Sequence, residues 1–245
     1  MHSLTAIDWL NVLEQGAVCP PLLRPCVLLA PLLAAGMDDA LTLPLGERDR
    51  QLLVLHQALF GEQLELVADC PQCQQVLELS PGCGDLLLAA APAQLAADEL
   101  CPFPLRLPTT ADLLAVGHDL TLAPESQQVR LLARCLLAEA SPATHEPALA
   151  WLQQQPATVL KQLNQRLADA DPQALMELAL RCPGCGHSWP ELFDIGAYLW
   201  DALSIWGQRT LDQVHLLAAA YGWRESEILA LSPARRGQYL QRVLA

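Results

Sequence analysis

Apolar residues recur every three or four positions through most of this chain, which is the spacing of helices with one buried face. A first helix is expected after Ser3 or Thr5, and a second one is expected to end at Gly61. The inward-facing positions of the second helix are expected to be Leu52, Leu53, Leu55, His56, Leu59 and Phe60. A long helix is expected to begin after Asp194 and to end at Gly222, with two shorter helices behind it. The pattern therefore predicts a mainly α-helical protein.

One strongly apolar segment follows Cys19. Its apolar side chains suit a single buried helix, and they are Leu22, Leu23, Val27, Leu28, Leu32 and Leu33. A membrane span needs roughly 18 uninterrupted apolar residues, whereas Pro31 interrupts this run. The segment is therefore expected to belong to a core, and no membrane partner is expected.

Two other segments alternate apolar and polar positions, as half-buried strands do. Such runs flank Cys70-Pro71-Gln72-Cys73 and also Cys182-Pro183-Gly184-Cys185, with 108 residues between the two motifs. Each predicts a β-hairpin that carries two thiols at its tip. Gly186 suits the left-handed conformation that often follows such a turn, and Gln74 holds the same position in the first motif.

Two Cys-x-x-Cys pairs supply the four thiolates that a tetrahedral structural zinc requires. We therefore predict one zinc ion shared by the two hairpins, with the ligands Cys70, Cys73, Cys182 and Cys185. Because protein thiolates would fill all four positions, this zinc is expected to be structural and not catalytic.

Two alternatives use these cysteines differently. Cys-Pro-x-Cys also occurs in thiol oxidoreductases, but there the first cysteine begins a helix, whereas Gln74 and Gly186 here precede turn and strand patterns. A local site could instead combine the first pair with Cys83 and Cys101, but the second pair would then have no role. His187 could replace a thiolate, yet four cysteines already complete the set.

The two hairpins divide the chain into unequal parts. We expect an N-terminal helical region at 1–62, a split zinc ribbon at 63–80 plus 173–194, a mostly helical insertion at 81–172 and a C-terminal helical segment at 195–245. Within the insertion we expect a short strand-like piece at 103–107, a helix capped by Thr109 or Thr110, and helices near 124–139, 146–154 and 156–169. The predicted fold is thus mainly α with a small β zinc ribbon.

Composition restricts the class of protein further. The chain is 52% hydrophobic and only 17% charged, which is typical of a folded protein. Its net charge is −13, and residues 1–200 carry 9 Lys and Arg against 23 Asp and Glu, while residues 201–245 carry 5 against 4. This acidity disfavours nucleic acid as a partner. The nine cysteines, without an apparent export signal, predict reduced thiols in the cytoplasm.

Motifs for catalysis are missing from the sequence. It contains no Gly-x-Ser-x-Gly, no phosphate-binding glycine loop and no dinucleotide fingerprint. The acidic residues Asp38, Asp39, Asp169 and Asp171 are expected to be solvated charges, and Cys19, Cys26 and Cys135 are expected to be small core residues. The sequence therefore predicts neither an enzyme nor a small-molecule substrate.

Aromatic and basic side chains concentrate near the C-terminus. Either they fill the space between the last helices, or they form a surface for a partner, because Trp, Tyr and Arg are enriched at binding hot spots. The candidates for such a surface are Trp206, Tyr221, Trp223, Arg235, Arg236 and Tyr239.

A resemblance to a known family supplies a function. The run from Val214 to Tyr239 is similar to the C-terminal segment of baseplate hub assembly chaperone-like proteins of contractile phage tails and phage tail-like injection systems. Members with two Cys-Pro-x-Cys motifs are also similar at the segment from Leu43 to Arg50 and at the segment from Leu105 to Thr109.

The resemblance implies a non-enzymatic factor that acts in baseplate assembly, or a minor baseplate component, whose partners are hub, spike or other tail proteins. Such a protein is expected in the cytoplasm or within the assembled particle. A zinc-ribbon adaptor for nucleic acid and a thiol oxidoreductase are the alternative functions. The sequence does not distinguish a chaperone from a permanent component, and it gives no oligomeric state and no role for Cys83 or Cys101.

Overall fold

The computed structural model describes residues 4–117, 124–136 and 150–244. Its helices are α1 (Ala6–Ala17), α2 (Arg24–Leu29), α3 (Met37–Thr42), α4 (Leu45–Phe60), α5 (Cys83–Leu86), α6 (Thr110–Gly117), α7 (Pro124–Cys135), α8 (Ala157–Ala170), α9 (Ile195–Tyr221), α10 (Glu225–Leu229) and α11 (Pro233–Leu244). Its strands are β1 (Leu66–Asp69), β2 (Val76–Leu79), β3 (Gln94–Leu95), β4 (Leu105–Arg106), β5 (Met176–Arg181) and β6 (Ser188–Phe193). The prediction of a mainly helical protein is confirmed.

Several predicted helix ends are also confirmed. The N–H of Asp8 donates to the Thr5 hydroxyl at the start of α1, and the Asp8 carboxylate accepts from the Thr5 N–H in return. At the start of α9 the Asp194 carboxylate accepts from the N–H of Ala197 at 3.0 Å. Gly222 ends α9 in the left-handed conformation, with φ of 67°.

The strands form three separate antiparallel pairs. In the first, β1 and β2 align Leu66 with Leu79 and Asp69 with Val76. In the third, β5 and β6 align six pairs of residues between Met176–Phe193 and Arg181–Ser188. These two hairpins lie where the sequence predicts them, and the remaining pair, β3–β4, belongs to the insertion.

The first core joins both ends of the chain. Helix α9 packs against α1, α2 and α4, and the approach of α1 to α9 is close enough that a Cβ added at Gly16 would lie 2.4 Å from the Trp200 ring. The hairpins contribute Leu64, Met176 and Phe193 to this core. The N-terminal region, the bases of the hairpins and the start of α9 therefore form one packed unit.

The insertion has a second core of its own. Its buried apolar residues come from the β4 segment, α7, α8 and residues 150–153, and they are Cys101, Leu105, Leu107, Leu132, Ala133, Cys135, Leu136, Leu152, Leu163 and Leu167. The predicted helices at 124–139 and 156–169 correspond to α7 and α8. Of the predicted helix at 146–154, residues 150–153 are helical and residues 146–149 lie outside the described residues.

Two predictions about apolar residues are wrong. The segment predicted as one buried helix is a short α-helix, α2, between two 3₁₀ turns at Pro21–Leu23 and Ala30–Leu32, since each proline lacks an N–H. Leu59 and Phe60, predicted to face inward, are 36% and 39% exposed because they lie in the last turn of α4, beyond the core.

A buried polar junction connects the two cores at the start of α4. Arg48 donates to Asp49 at 2.7 Å and to the Thr110 hydroxyl at 3.0 Å, and both members of the ion pair are less than a tenth exposed. Asp171 accepts from the N–H of Gly46 at 2.9 Å. The prediction that Asp171 is a solvated charge is therefore wrong: it is 3% exposed, because its carboxylate binds a helix N-terminus from the far end of the insertion.

The junction makes the stability of the protein depend on pH. Burial raises the pKa of Asp49 to about 6, although Arg48 lowers it in part. A carboxyl whose pKa is higher in the folded state than in the unfolded state contributes stability below its unfolded pKa, and that contribution is lost as the pH rises through about 6. In urea titrations between pH 4 and 7, we expect wild type to lose about 3 kcal/mol relative to Asp49→Asn as the pH rises. Parallel pH profiles of the two proteins would contradict this assignment.

No helix within the described ranges is both long enough and apolar enough to cross a membrane. The proposed division of the chain at 62, 80, 172 and 194 stays a prediction, although the two cores correspond to its separation of the insertion from the remainder.

Candidate metal centre

The two Cys-x-x-Cys turns have the same backbone hydrogen bonds. We call residues 70–75 the first knuckle and residues 182–187 the second knuckle. The N–H of Cys70 donates to the Gln75 carbonyl at 2.9 Å, and the N–H of Cys182 donates to the His187 carbonyl at 2.8 Å. In addition, the N–H of Gln74 donates to the Cys70 carbonyl at 2.8 Å, and the N–H of Gly186 donates to the Cys182 carbonyl at 3.0 Å. Each bond joins equivalent positions, so the two turns are built alike.

This turn requires a left-handed residue after its second cysteine. Gly186 has φ of 75° and Gln74 has φ of 60°, and Gln74 is the one residue other than glycine with a positive φ in the part of the chain that the structure describes. Such a conformation costs a residue with a Cβ about 1–2 kcal/mol. The hydrogen bonds of the first knuckle therefore hold Gln74 in a conformation that glycine adopts more easily.

Two matched substitutions test this strain. Gln74→Gly is expected to raise the free energy of unfolding by about 0.5–1 kcal/mol, because glycine adopts the positive φ without steric cost. Gly186→Gln is expected to lower it by about 1 kcal/mol, because it introduces the same strain into the second knuckle. Denaturant unfolding of the metal-loaded proteins measures both changes. A destabilised Gln74→Gly protein would show that the side chain, and not the backbone, determines the residue at this position.

The four thiols converge on one point. Cys70 Sγ lies 3.6 Å from Cys185 Sγ, and Cys73 Sγ lies 3.5 Å from Cys182 Sγ. All four sulfurs lie within 4.8 Å of one another. Zinc–sulfur bonds of about 2.3 Å place the sulfurs of a regular tetrahedron about 3.8 Å apart. The sulfurs therefore have the spacing of a four-thiolate metal site, assembled from residues 115 positions apart.

Each knuckle contributes one buried and one exposed thiol. Cys70 and Cys182 are 1% exposed, whereas Cys73 and Cys185 are exposed. The buried pair packs with Leu77 and Trp189 in a small apolar cluster under the knuckles. The site is therefore closed on the side of the hairpins and open to solvent at the tips.

Two glutamines of the first knuckle extend toward the second one. The amide oxygen of Gln75 lies 3.7 Å from Cys182 Sγ, and that of Gln72 lies 3.9 Å from Cys185 Sγ. A Cβ added at Gly184 would lie 2.0 Å from the Gln75 amide oxygen, so only glycine leaves room for this contact. The sequence does not predict the contacts of these two glutamines, because nothing in the pattern of the first knuckle indicates which residues of the second knuckle they approach.

The protonation of the thiols reflects their crowding. The N–H of Cys185, together with that of Gly184, lowers the pKa of Cys182 to about 6. At Cys73 the N–H of Gln75 favours the thiolate, but the neighbouring thiols of Cys182, Cys185 and Cys70 together raise the pKa to about 12. Four negative charges cannot share this volume unless a cation balances them. The chemistry of the donor set therefore fits a metal ion.

The alternative local site is not assembled. Cys83 Sγ lies 3.4 Å from His56 Nδ1 inside the first core, and Cys101 lies inside the second core. Cys26 and Cys135 are buried, as predicted, and Cys19 is half-buried against the first core. Across the described residues, the four thiols of the knuckles form the only cluster of potential metal ligands.

The knuckles also lack the geometry that favours thiol redox chemistry. Their first cysteines directly follow strands β1 and β5, and the chain continues into β2 and β6, so no helix N-terminus lies at either pair. His187, the last residue of the second knuckle, is stacked on Trp189, with ring centroids 5.9 Å apart.

The C-terminal candidates do not form one surface. Tyr221, Trp223 and Tyr239 pack together, with ring centroids 4.8 to 5.7 Å apart, between the end of α9 and α11. Arg235 is exposed. Arg236 is only 5% exposed and donates through Nε to Gln213 at 2.8 Å. A partner surface that includes these candidates stays a prediction.

Trp206 and Arg236 instead line a groove between the ends of the chain. The sequence pattern did not predict this groove, because its walls come from α1, the end of α4, α9 and the α10–α11 turn. In the sequence, each of these elements taken alone has the pattern of an ordinary amphipathic helix.

A comparison with known protein families gives a match over most of the chain. The family model of the T4 bacteriophage base plate protein matches residues 28–200. This range covers more than half of the chain and includes both knuckles and the whole insertion. No curated protein matches the chain, and no solved structure matches it. The chain belongs to the T4 bacteriophage base plate protein family.

Proposed function

We propose that this chain is a non-enzymatic, zinc-stabilised interaction protein that acts in the assembly of the baseplate of a contractile phage tail or tail-like injection system. The observation that carries the proposal is the family match over residues 28–200. A baseplate is an assembly of tail proteins, so the partners are other tail proteins, with the hub and spike as the first candidates.

The zinc ion has a structural role in this proposal. The ligands would be Cys70, Cys73, Cys182 and Cys185, whose sulfurs have the spacing that a tetrahedral ion requires. Four protein thiolates leave no position for a water or a substrate, which argues against catalysis by the metal. The ion would connect the two hairpins that flank the insertion and would so hold the second core against the first.

The alternative functions have less support. The net charge of −13 opposes a nucleic-acid adaptor, because an acidic surface repels phosphates. A dithiol oxidoreductase would need a thiolate activated at a helix N-terminus, which neither knuckle has.

Co-expression tests the proposed role. The tagged chain is produced together with the hub, spike and other baseplate proteins encoded beside it, and complexes are isolated and identified by mass spectrometry. We expect one or more of these proteins to co-purify in a fixed ratio. The Cys182→Ser variant is expected to lose most of this association, whereas Cys19→Ser, a half-buried cysteine outside the knuckles, is expected to retain it. A wild-type chain that associates with none of the encoded tail proteins would refute the proposal.

A further inference from the structure

The groove between the ends of the chain has a volume of about 530 Å³, within the range of binding pockets. Its walls are mostly apolar: Leu4, Ile7, Trp9, Phe60, Leu203 and Trp206 contribute to them. The groove lies in the first core, on elements that the metal site does not use.

One charged side chain, Arg236, lines this apolar groove. It is 5% exposed, and among the described residues no carboxylate lies within ion-pair distance of it. The Nε atom donates to Gln213, and the two terminal nitrogens make no hydrogen bond to any described residue. Arg236 is therefore a largely buried cation whose terminal nitrogens have no hydrogen-bond partner among the described residues.

Within the described residues this arginine has no charged partner. Burial lowers the pKa of the Arg236 guanidinium, and no neighbouring acid opposes this effect. A buried cation needs a charged partner to offset its lost hydration, and the planar guanidinium suits a carboxylate that accepts two parallel hydrogen bonds. The chemistry that would satisfy this group is a carboxylate placed within the groove.

The shape of the groove favours a polypeptide over a small molecule. Its apolar lining continues onto the surface at Ile7, Leu59 and Phe60, which are 36% to 41% exposed. An occupant that covers these side chains must extend beyond the cavity. The charge of the neighbouring helix also fits an acidic partner, since α11 contains three arginines and no acidic residue.

We propose that this groove binds a segment of a partner protein that inserts a carboxylate side chain against Arg236 and covers Ile7, Leu59 and Phe60 with apolar side chains. The proposal rests on the proposed function for the source of the segment, a tail protein. The chemistry of the contact follows from the groove itself, so it can be tested separately.

A random peptide library provides a test that does not depend on the identity of the partner. Displayed 12-residue peptides are selected on the immobilised, zinc-loaded full-length chain, and the affinities of enriched peptides are measured by fluorescence anisotropy. We expect enriched peptides to share one Asp or Glu among apolar residues. Arg236→Met is expected to weaken their binding about 10- to 100-fold, which corresponds to loss of a charge-assisted hydrogen-bonded pair. Arg242→Met, an exposed arginine on the same helix, is expected to have little effect.

Two further measurements identify the contact. Replacing the acidic residue of the peptide by its amide is expected to weaken binding to wild type but not to Arg236→Met, as a double-mutant cycle requires for a direct pair. The melting temperature of unliganded Arg236→Met is expected to equal or exceed that of wild type, because methionine carries no buried charge. If Arg236→Met proves unfolded, Ile7→Ser, at an exposed wall position, replaces it and is expected to weaken binding.

Several outcomes would overturn the proposal. They are enriched peptides without an acidic residue, equal affinities for wild type and Arg236→Met, or no enrichment at all. Decanoate serves as a small amphiphilic probe, and its binding in the absence of any enriched peptide would assign the groove to a small molecule instead. Overlapping peptides from the encoded tail proteins separate the two proposals. If library peptides bind but no tail-protein peptide does, the groove binds a peptide and its proposed source in a baseplate is wrong. If Arg236→Met leaves a baseplate complex intact, the baseplate role holds and the groove is not the contact.

Discussion

Cys182→Ser is expected to unfold both hairpins and to lower the melting temperature by more than 10 °C, because about 1 kcal/mol of lost stability shifts a chain of this size by about 2–4 °C. Structural zinc sites contribute on the order of 10 kcal/mol to folding in small domains, which is comparable with the total stability of a typical protein. Cys182 is 1% exposed and lies against Cys73, so its loss removes a ligand and leaves three crowded thiols.

Hydrogen exchange can locate this effect. Amides of β1, β2, β5 and β6 are expected to lose protection in Cys182→Ser, and treatment of wild type with a strong zinc chelator is expected to reproduce the change. The same chelator should have no further effect on the variant. Cys19→Ser is the matched control, because this half-buried cysteine donates only to a backbone carbonyl. Protection that survives both chelation and substitution would show that the hairpins do not need a metal.

Asp112→Ala is expected to cost about 3–5 kcal/mol, the second large effect, because it removes one partner of a buried ion network. The Asp112 carboxylate is 1% exposed and accepts from two arginines, Arg106 and Arg134, the latter at 2.8 Å. It also accepts from the N–H of Thr109 at 3.0 Å and so caps α6. Alanine would leave both guanidinium groups without their carboxylate.

Thermal and urea unfolding of the metal-loaded protein measure this loss. Asp112→Asn retains the size of the side chain but not its charge and is expected to lie between wild type and alanine. Asp169→Ala on α8 provides the surface control, since Asp169 is exposed and accepts only from Gln165. Its expected effect is within about 0.5 kcal/mol of wild type. An Asp112→Ala protein as stable as that control would mean that Arg106 and Arg134 find other partners.

The loss of stability at acidic pH should depend on the Asp112 carboxyl. Burial works against its charge, but Arg106 and Thr109 together lower the pKa of Asp112 below its usual value. A group of this kind contributes stability above its unfolded pKa and loses the contribution as the pH falls through its folded pKa. The pKa of Asp112 is lowered, whereas that of Asp49 is raised. Substitutions at Asp112 and at Asp49 therefore change the stability in opposite directions of pH.

The sequence predicts each cysteine pair and its hairpin because these depend on local geometry. Two residues between paired cysteines allow one turn to present both sulfurs, and the flanking alternation identifies the strands. Helix ends at Thr5, Asp194 and Gly222 are predictable for the same reason, since a cap involves residues only a few positions apart.

Contacts between distant segments are not predictable in this way. Asp171 reads as a surface charge, and only the fold brings it to the N–H of Gly46, 125 positions away. His56 likewise reads as an ordinary helix residue, and its contact with Cys83 depends on the path of the chain between them. Buried polar pairs of this kind carry no periodic signal in one sequence.

The family match and the four thiols together connect the sequence to a role. The resemblance at the C-terminal segment, from Val214 to Tyr239, lies entirely beyond residue 200, whereas the matched range ends there. The prediction of a phage baseplate protein is confirmed at the level of the family. The assembly role and the binding of a metal ion remain proposals.

The entry and exit of the insertion lie beside each other: the N–H of Leu88 donates to the Gln173 side chain at 2.8 Å. Its two ends would therefore need only a short loop between them if the helices of the second core were absent. Loop-closure free energy changes by only about 0.6 kcal/mol for each doubling of length. The insertion can consequently differ in length at little cost in loop-closure free energy while the two knuckles keep their spatial arrangement.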